Sequence, residues 1–252
     1  MQHGVLKRTF GGILVAPVKL GPGDRVLESG TGTGIWLLDL AKGVLTSVEL
    51  QGIDVSPVPL PREYPSNVKF SIHSITQLPP EWTNTFNLVH QRLLVGSLTL
   101  DEWKVALKEM YRVLCPRGWV QLGEHKSWGS GGPASDKWQS LLEEVIRRRG
   151  FSLDIAHHLP GFLKDAGFEN ITLVERSFPM GKWAGKYGEE GRDGFILGFR
   201  SMKGLVVGDE ESALMHSEAE YDQLMDAVES EWDNSRGLEG IFRIVIAQKS
   251  TV

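Results

Sequence analysis

Glu28, Gly30, Gly32, Gly34 and Asp54 are the residues whose types and spacing could do chemistry in this chain. In Glu28-Ser29-Gly30-Thr31-Gly32-Thr33-Gly34, three glycines alternate with small hydroxyl residues, and such a backbone can take φ > 0 or approach a ligand closely. Asp54 follows about 20 residues later, where a carboxylate can accept both hydroxyls of a ribose. A turn or helix-cap role for Asp54 stays open, because Ser56-Pro57 comes directly after it. The chemistry this pattern fits is the binding of a nucleotide-type ligand.

The elements around these residues support that geometry. Val26-Leu27 is a short apolar run that reads as a buried strand, and Ile35 to Lys42 carries Leu37, Leu38, Leu40 and Ala41 at helical spacing, ending near Gly43. Strand, glycine turn and helix in that order create a crevice at the carboxyl end of a parallel strand, with unpaired helix N–H groups facing it. The dinucleotide fingerprint fails, because counting from Gly30 and Gly32 its third glycine position is Ile35. No Gly-Lys-Ser/Thr follows, so a P-loop is excluded as well.

Further along, Val48–Asp54, Val68–Ile72, Phe86–Arg92 and Trp119–Glu124 read as strands, and Asp101–Leu114 as an amphipathic helix. The four prolines between Pro57 and Pro65 predict a loop, and Cys115-Pro116-Arg117-Gly118 predicts a turn. Residues 1–20 read as a mixed covering segment. In the second half, Ser135–Arg149, Leu159–Ala166 and Arg192–Met202 read as helices, and Ser217 with Glu220 as a capping box for a helix to about Trp232. Ile171–Phe178 and Phe242–Ala247 read as an antiparallel strand pair.

Composition sets the outer bounds. With 252 residues and 41% hydrophobic content the chain can bury one sizeable core. A net charge of -5 gives no general attraction to nucleic acid, and Arg147-Arg148-Arg149 reads as a solvated helix end. No apolar run is long enough to span a membrane and no signal-peptide core is present. The single Cys115 cannot form an internal disulfide and fits a reducing compartment. No His/Cys/Asp cluster has metal-ligand spacing, so no metal is expected.

The acidic-x-Gly-x-Gly-x-Gly run, Asp54, Phe86-Asn87-Leu88-Val89, and Leu114-Cys115-Pro116-Arg117-Gly118 before a strand occur in one order. In this the chain resembles the class I S-adenosylmethionine (SAM) methyltransferases. Val89-His90-Gln91-Arg92-Leu93, with Gly118-Trp119-Val120-Gln121-Leu122 and Glu124, resembles more narrowly the fungal LaeA-like methyltransferases of secondary metabolism. The resemblance implies a single α/β domain over 1–252 with a Rossmann-like fold. Its seven-stranded sheet would be mostly parallel with one antiparallel strand, and helices would cover both faces. Helical lid insertions selecting the substrate are expected near 126–160 and 180–238.

The same resemblance implies SAM as cofactor, S-adenosyl-L-homocysteine as product, and cofactor contacts from Glu28, Gly30, Thr31, Gly32, Gly34, Trp36, Asp54, Val55, Ser74, Ile75, Gln91 and Arg92. Three positions depart from the family pattern: Ser74 stands where an Asp commonly binds the adenine amino group, Asn87 replaces the Asp of Phe-Asp-Leu-Val, and Arg117 replaces the first glycine of the turn before the fifth strand. The family's N-terminal cofactor-covering segment is represented here only by Gln2-His3, so the chain is expected to start inside it.

Methyl transfer from SAM is an in-line displacement that needs alignment and exclusion of water. A base for a hydroxyl acceptor would come from His125, His90, His157 or His158, with Glu124 as an orienting group. Trp128, Trp138, Trp183 and Tyr187 are candidates for an aromatic acceptor pocket, ordinary packing being the alternative. Two classes of function follow. One is methylation of a small-molecule O or N acceptor, without nucleic acid or membrane partners. The other is a SAM-fold regulator or a non-methylating enzyme that works through a protein partner or a repurposed pocket. A cytoplasmic location is expected, or a nuclear one for a regulator.

Overall fold

A computed structural model describes residues 2–57, 60–208 and 213–251. Val58 and Pro59 of the expected proline loop, and residues 209–212 of the second insertion, lie outside the described residues. The chain folds as two compact units. One comprises Gly12–Glu124, Asp154–Glu175 and Arg243–Val252; the other comprises Met1–Gly11, His125–Leu153 and Arg176–Phe242. Of the segments read in sequence as insertions, residues 126–153 and 180–238 fall in the second unit and residues 154–160 in the first.

The strands form one seven-stranded sheet: β1 (Arg25–Ser29), β2 (Glu49–Asp54), β3 (Val68–Ile72), β4 (Phe86–Arg92), β5 (Leu114–Trp128), β6 (Phe168–Pro179) and β7 (Glu239–Lys249), of which residues 125–128, 176–179 and 239–242 are counted with the second unit and the rest with the first. Their order is β3-β2-β1-β4-β5-β7-β6, and β1 through β5 pair in parallel. The side chain of Gln248, near the end of β7, bonds Arg117 near the start of β5 at 2.9 Å and Asn170 near the start of β6 at 2.9 Å. β7 is therefore antiparallel to both neighbours.

Side chains alternate across this sheet. Leu27, Val89, Val120 and Leu122 face α3 (Leu100–Val113) and α5 (Ile155–Asp165), and together they form the main core. The opposite face carries Glu28, Phe70, His90 and Gln121, and α2 (Ile35–Ala41) lies over it, with Trp36 flat on His90 at 3.7 Å. Gln121 fastens residues 13–16 to this face: Oε1 accepts from Val15 N at 2.7 Å and Ala16 N at 3.0 Å, and Nε2 donates to Ile13 O at 2.9 Å.

Several sequence expectations change. Cys115–Gly118 is a bulge inside β5 rather than a turn before it. Phe86 pairs with Leu114 and Leu88 with Trp119, and Arg117 absorbs the extra residues at φ 65. α5 starts at Ile155 and runs through Pro160. Proline cannot donate to the carbonyl four residues back, and that carbonyl, on Ala156, instead accepts from Arg243 Nη1 at 2.7 Å. Arg243 also pairs with Glu175.

The second unit contains α1 (Gln2–Phe10), α4 (Pro133–Arg148), α6 (Gly185–Ser201), α7 (Lys203–Val206) and α8 (Glu218–Asn234). Residues 2–10 are helical although their pattern is weak, because α6 and its surroundings hold them: Thr9 Oγ1 meets the Tyr187 hydroxyl at 2.7 Å and Arg8 meets Glu190 at 3.2 Å. α6 begins at Gly185, ahead of the expected Arg192, and its early glycines hid it. α8 starts at the Ser217 cap, whose hydroxyl accepts from Glu220 N at 3.2 Å. The Glu231 carboxylate caps the N-terminus of α4, accepting from Ala134 N and Ser135 N at 2.8 Å each.

Candidate functional site

The turn after β1 carries three alternate glycines in the left-handed region: Gly30 at φ 62, Gly32 at φ 50 and Gly34 at φ 73. They have different duties. A Cβ on Gly30 would lie 2.8 Å from Leu94 Cδ2, and one on Gly34 would lie 2.7 Å from Phe70 Cζ. Both glycines therefore let side chains pack onto the loop. Among the described residues nothing lies within 4 Å of a Cβ on Gly32, so they leave open space beside it.

Asp54, at the end of β2, closes the loop. Its Oδ2 accepts from Gly32 N at 3.0 Å and its Oδ1 from Val55 N at 2.9 Å. Each carboxylate oxygen keeps a second lone pair. Thr31 N donates to Ile53 O at 3.0 Å and Gly34 N to Thr31 O at 2.9 Å, which fixes the turn between β1 and β2.

Glu28 lies under this turn, 3% exposed. Its Oε2 accepts from Thr31 Oγ1 at 2.7 Å, and Oε1 is 3.5 Å from His90 Nδ1. Burial pushes the Glu28 carboxyl up to about 7, against the pull of the Thr31 hydroxyl and the Arg92 charge. Folded protein thus holds this proton where the unfolded chain has lost it, so stability falls as pH rises from about 4.5 to about 7. Glu28→Gln removes that slope. Denaturant unfolding across this window should show the wild type losing on the order of 3 kcal/mol relative to Glu28→Gln; parallel profiles would refute it.

The other expected cofactor residues fall into groups. Val55 is 69% exposed beside Asp54. Ser74 lies past the end of β3, its hydroxyl 2.7 Å from Thr76 Oγ1 and 3.2 Å from Thr76 N, and Ile75 is buried in the core. Gln91 and Arg92 end β4. Gln91 is fully buried, and neither its amide oxygen nor its amide nitrogen has a hydrogen-bond partner. Trp36, expected at the cofactor, is 2% exposed. The first turn of α2 points it at the sheet, where it stacks on His90.

The base candidates are dispersed. His90 stacks on Trp36, and its Nδ1 lies 3.5 Å from Glu28 Oε1. His157 and His158 sit on α5, with His158 stacked on Phe162 at 5.7 Å. Glu124 is fully buried on β5, where its Oε1 accepts from Leu94 N at 2.7 Å. His125 belongs to the second unit, among Phe178, Phe195 and Phe242, with Nε2 3.1 Å from Gln2 Nε2. Burial pulls its imidazole down to about 3, so it is neutral. In the same unit Trp138 is fully buried and packs on Phe199 and Tyr221, the ordinary packing that was the alternative to a pocket role. Trp128 packs on Phe195, Trp183 donates to Met180 O, and Tyr187 bonds Thr9.

Leu94 and Phe70 are the loop-packing residues that sequence reading missed. Their contacts come from elements remote in sequence, and no local motif announces them.

Residues 1–173 match the family described as the methyltransferase domain. The chain belongs to this family. Among relatives of this methyltransferase domain, the N-methyltransferase sirN of Leptosphaeria maculans is 35% identical over 187 residues, 72% of this chain and 66% of that protein. The N-methyltransferase gliN of Aspergillus fumigatus is 32% identical over 190 residues, 72% of this chain and 67% of that protein. The chain thus spans about two-thirds of the length of these relatives. The N-methyltransferase tcpN of Claviceps purpurea is 29% identical over 243 residues, 92% and 86% of the two chains.

Solved structures share the fold. A phosphoethanolamine N-methyltransferase 2 of Haemonchus contortus, in complex with S-adenosyl-L-methionine, superposes with a TM-score of 0.57 at 19% identity, over 98% of this chain and 52% of that one. The [4+2]-cyclase SpnF superposes with a TM-score of 0.56 at 20% identity, over 99% and 93%. These likenesses define a Rossmann-like methyltransferase fold. Among the described residues, no helix is long and apolar enough to cross a membrane.

Proposed function

We propose that this methyltransferase domain binds SAM and directs its methyl group to a nitrogen of a small secondary metabolite, with S-adenosyl-L-homocysteine as product. The observation that carries this reading is the open space beside Gly32, a left-handed glycine whose amide is tied to Asp54. That cradle admits a ligand to the backbone and sets a carboxylate next to it. Relatives named N-methyltransferases favour nitrogen over oxygen as the acceptor.

When bound, SAM supplies an activated methyl group on a sulfonium. Asp54 offers its remaining lone pairs to the ribose hydroxyls, and Gly32 lets the ligand approach the loop without a side chain between them. Val55 and the Ser74 hydroxyl flank the adenine end in this reading. Glu28, held by Thr31 and His90, stiffens the turn from below. An amine nitrogen attacks with its own lone pair, so the protein's main tasks are alignment and exclusion of water. The lone Cys115 fits a reducing, cytoplasmic setting.

Calorimetric titration with SAM and with S-adenosyl-L-homocysteine, on wild type and Asp54→Ala, tests the reading. Micromolar binding by the wild type should weaken about tenfold or more in the variant, ~1.4 kcal/mol. Absence of wild-type binding would sink it. Product formation with amine but not hydroxyl acceptors would then support the nitrogen assignment.

A further inference from the structure

Leu93 follows β4 with φ 61, a left-handed conformation that a branched residue rarely adopts and that costs roughly 1–2 kcal/mol. Two bonds hold the turn that contains it. Leu93 N donates to Gly123 O at 2.9 Å, and Leu94 N donates to Glu124 Oε1 at 2.7 Å. The Leu94 side chain then rests on Gly30, so closely that a Cβ there would be 2.8 Å from Cδ2. A continuous path therefore runs from a buried carboxyl on β5, through one amide and one side chain, to the first glycine of the loop.

Glu124 is fully buried on the apolar face, near Leu122 and Gln91, and its Oε2 has no hydrogen-bond partner. An apolar residue would suit that face better, since burying a carboxyl raises its pKa to about 8 here. The backbone amides of Leu93, Leu94 and Val95 are the groups that oppose the rise. The carboxyl and the strained turn thus stabilise one another.

We propose that Glu124 is a positioning residue of the cofactor loop: it pins the turn after β4, and the pinned Leu94 braces Gly30. This rests on the reading of that loop as the SAM site. It assigns Glu124 no contact with SAM or with the acceptor, in place of the orienting role for a base expected from sequence.

The test compares Glu124→Ala, Glu124→Gln and Leu94→Ala in the full chain, by hydrogen exchange without ligand and by SAM titration. Glu124→Ala should speed exchange roughly tenfold or more in both 93–98 and 29–36, and weaken SAM about tenfold. Glu124→Gln keeps a carbonyl oxygen for Leu94 N and should stay within about threefold of wild type on both readouts. Leu94→Ala should speed exchange in 29–36 while 93–95 stays protected. Faster exchange confined to 93–98 in Glu124→Ala, or a Gln variant as impaired as the Ala variant, would overturn the proposal. If Glu124→Ala does not fold, an unchanged 29–36 segment in Leu94→Ala overturns it equally. Should wild type fail to bind SAM, the functional reading falls, while the exchange data still decide the brace.

Discussion

Gly32→Val should leave a folded protein that has lost SAM affinity by a hundredfold or more, about 2.7 kcal/mol. The two effects separate because of where the side chain goes. A Cβ on Gly32 meets nothing within 4 Å among the described residues, so the unliganded fold suffers only the cost of a β-branched residue at φ 50, ~1–2 kcal/mol. The bond from Gly32 N to Asp54 needs no change. The added methyl groups instead fill the space that a ligand must enter. Gly34→Val is the contrasting case: its Cβ would strike Phe70 at 2.7 Å, so folding and binding should fail together. Titration beside thermal unfolding reads both. A Gly32→Val protein that binds SAM within about threefold of wild type would show that the ligand does not lie against this loop.

Gly188→Ala should destabilise the second unit by about 3–4 kcal/mol, although glycine to alanine inside a helix normally stabilises by ~1 kcal/mol. The reversal comes from backbone packing. A Cβ on Gly188 would overlap the Gly181 carbonyl, and Gly181 N donates to Gly188 O at 2.9 Å. Gly191, one turn on, stands in the same relation to the Pro179 carbonyl. Neither partner is a flexible side-chain tip, so the helix itself would have to move. Gly198→Ala on the same helix is the control, because nothing lies within 4 Å of that position, and it should gain stability. Denaturant unfolding followed by tryptophan fluorescence distinguishes the pair. Equal effects of the two substitutions would refute the packing argument.

The parts of the fold legible in sequence are those dictated locally. β3 and β4 run over Val68–Ile72 and Phe86–Arg92, as the sequence predicts: Val68, Phe70 and Ile72 alternate with polar residues along the edge strand β3, and Phe86, Leu88 and Val89 begin β4 as a mostly apolar stretch. The glycine loop and Asp54 were readable for the same reason: a turn that needs φ > 0 repeatedly writes glycine at each such position. Elements held by distant partners were not. α5 passes through Pro160 only because Arg243, 87 residues from Ala156 in sequence, takes the orphaned carbonyl. α1 depends on Tyr187 and Glu190. At the site, Leu94 and Phe70 give no signal until the chain is folded. Trp138 could be read either way, because an aromatic residue at helical spacing looks alike in a pocket and in a core.

β7 lies between β5 and β6, although it is made long after both. During synthesis on the ribosome, β5 must wait with one edge unpaired while residues 129–238 emerge, and β6 has no strand to join until Glu239–Lys249 appears. An edge of that kind invites pairing with other chains. The nascent protein is thus most exposed to chaperone capture, and to misassociation, just before its final strand is released.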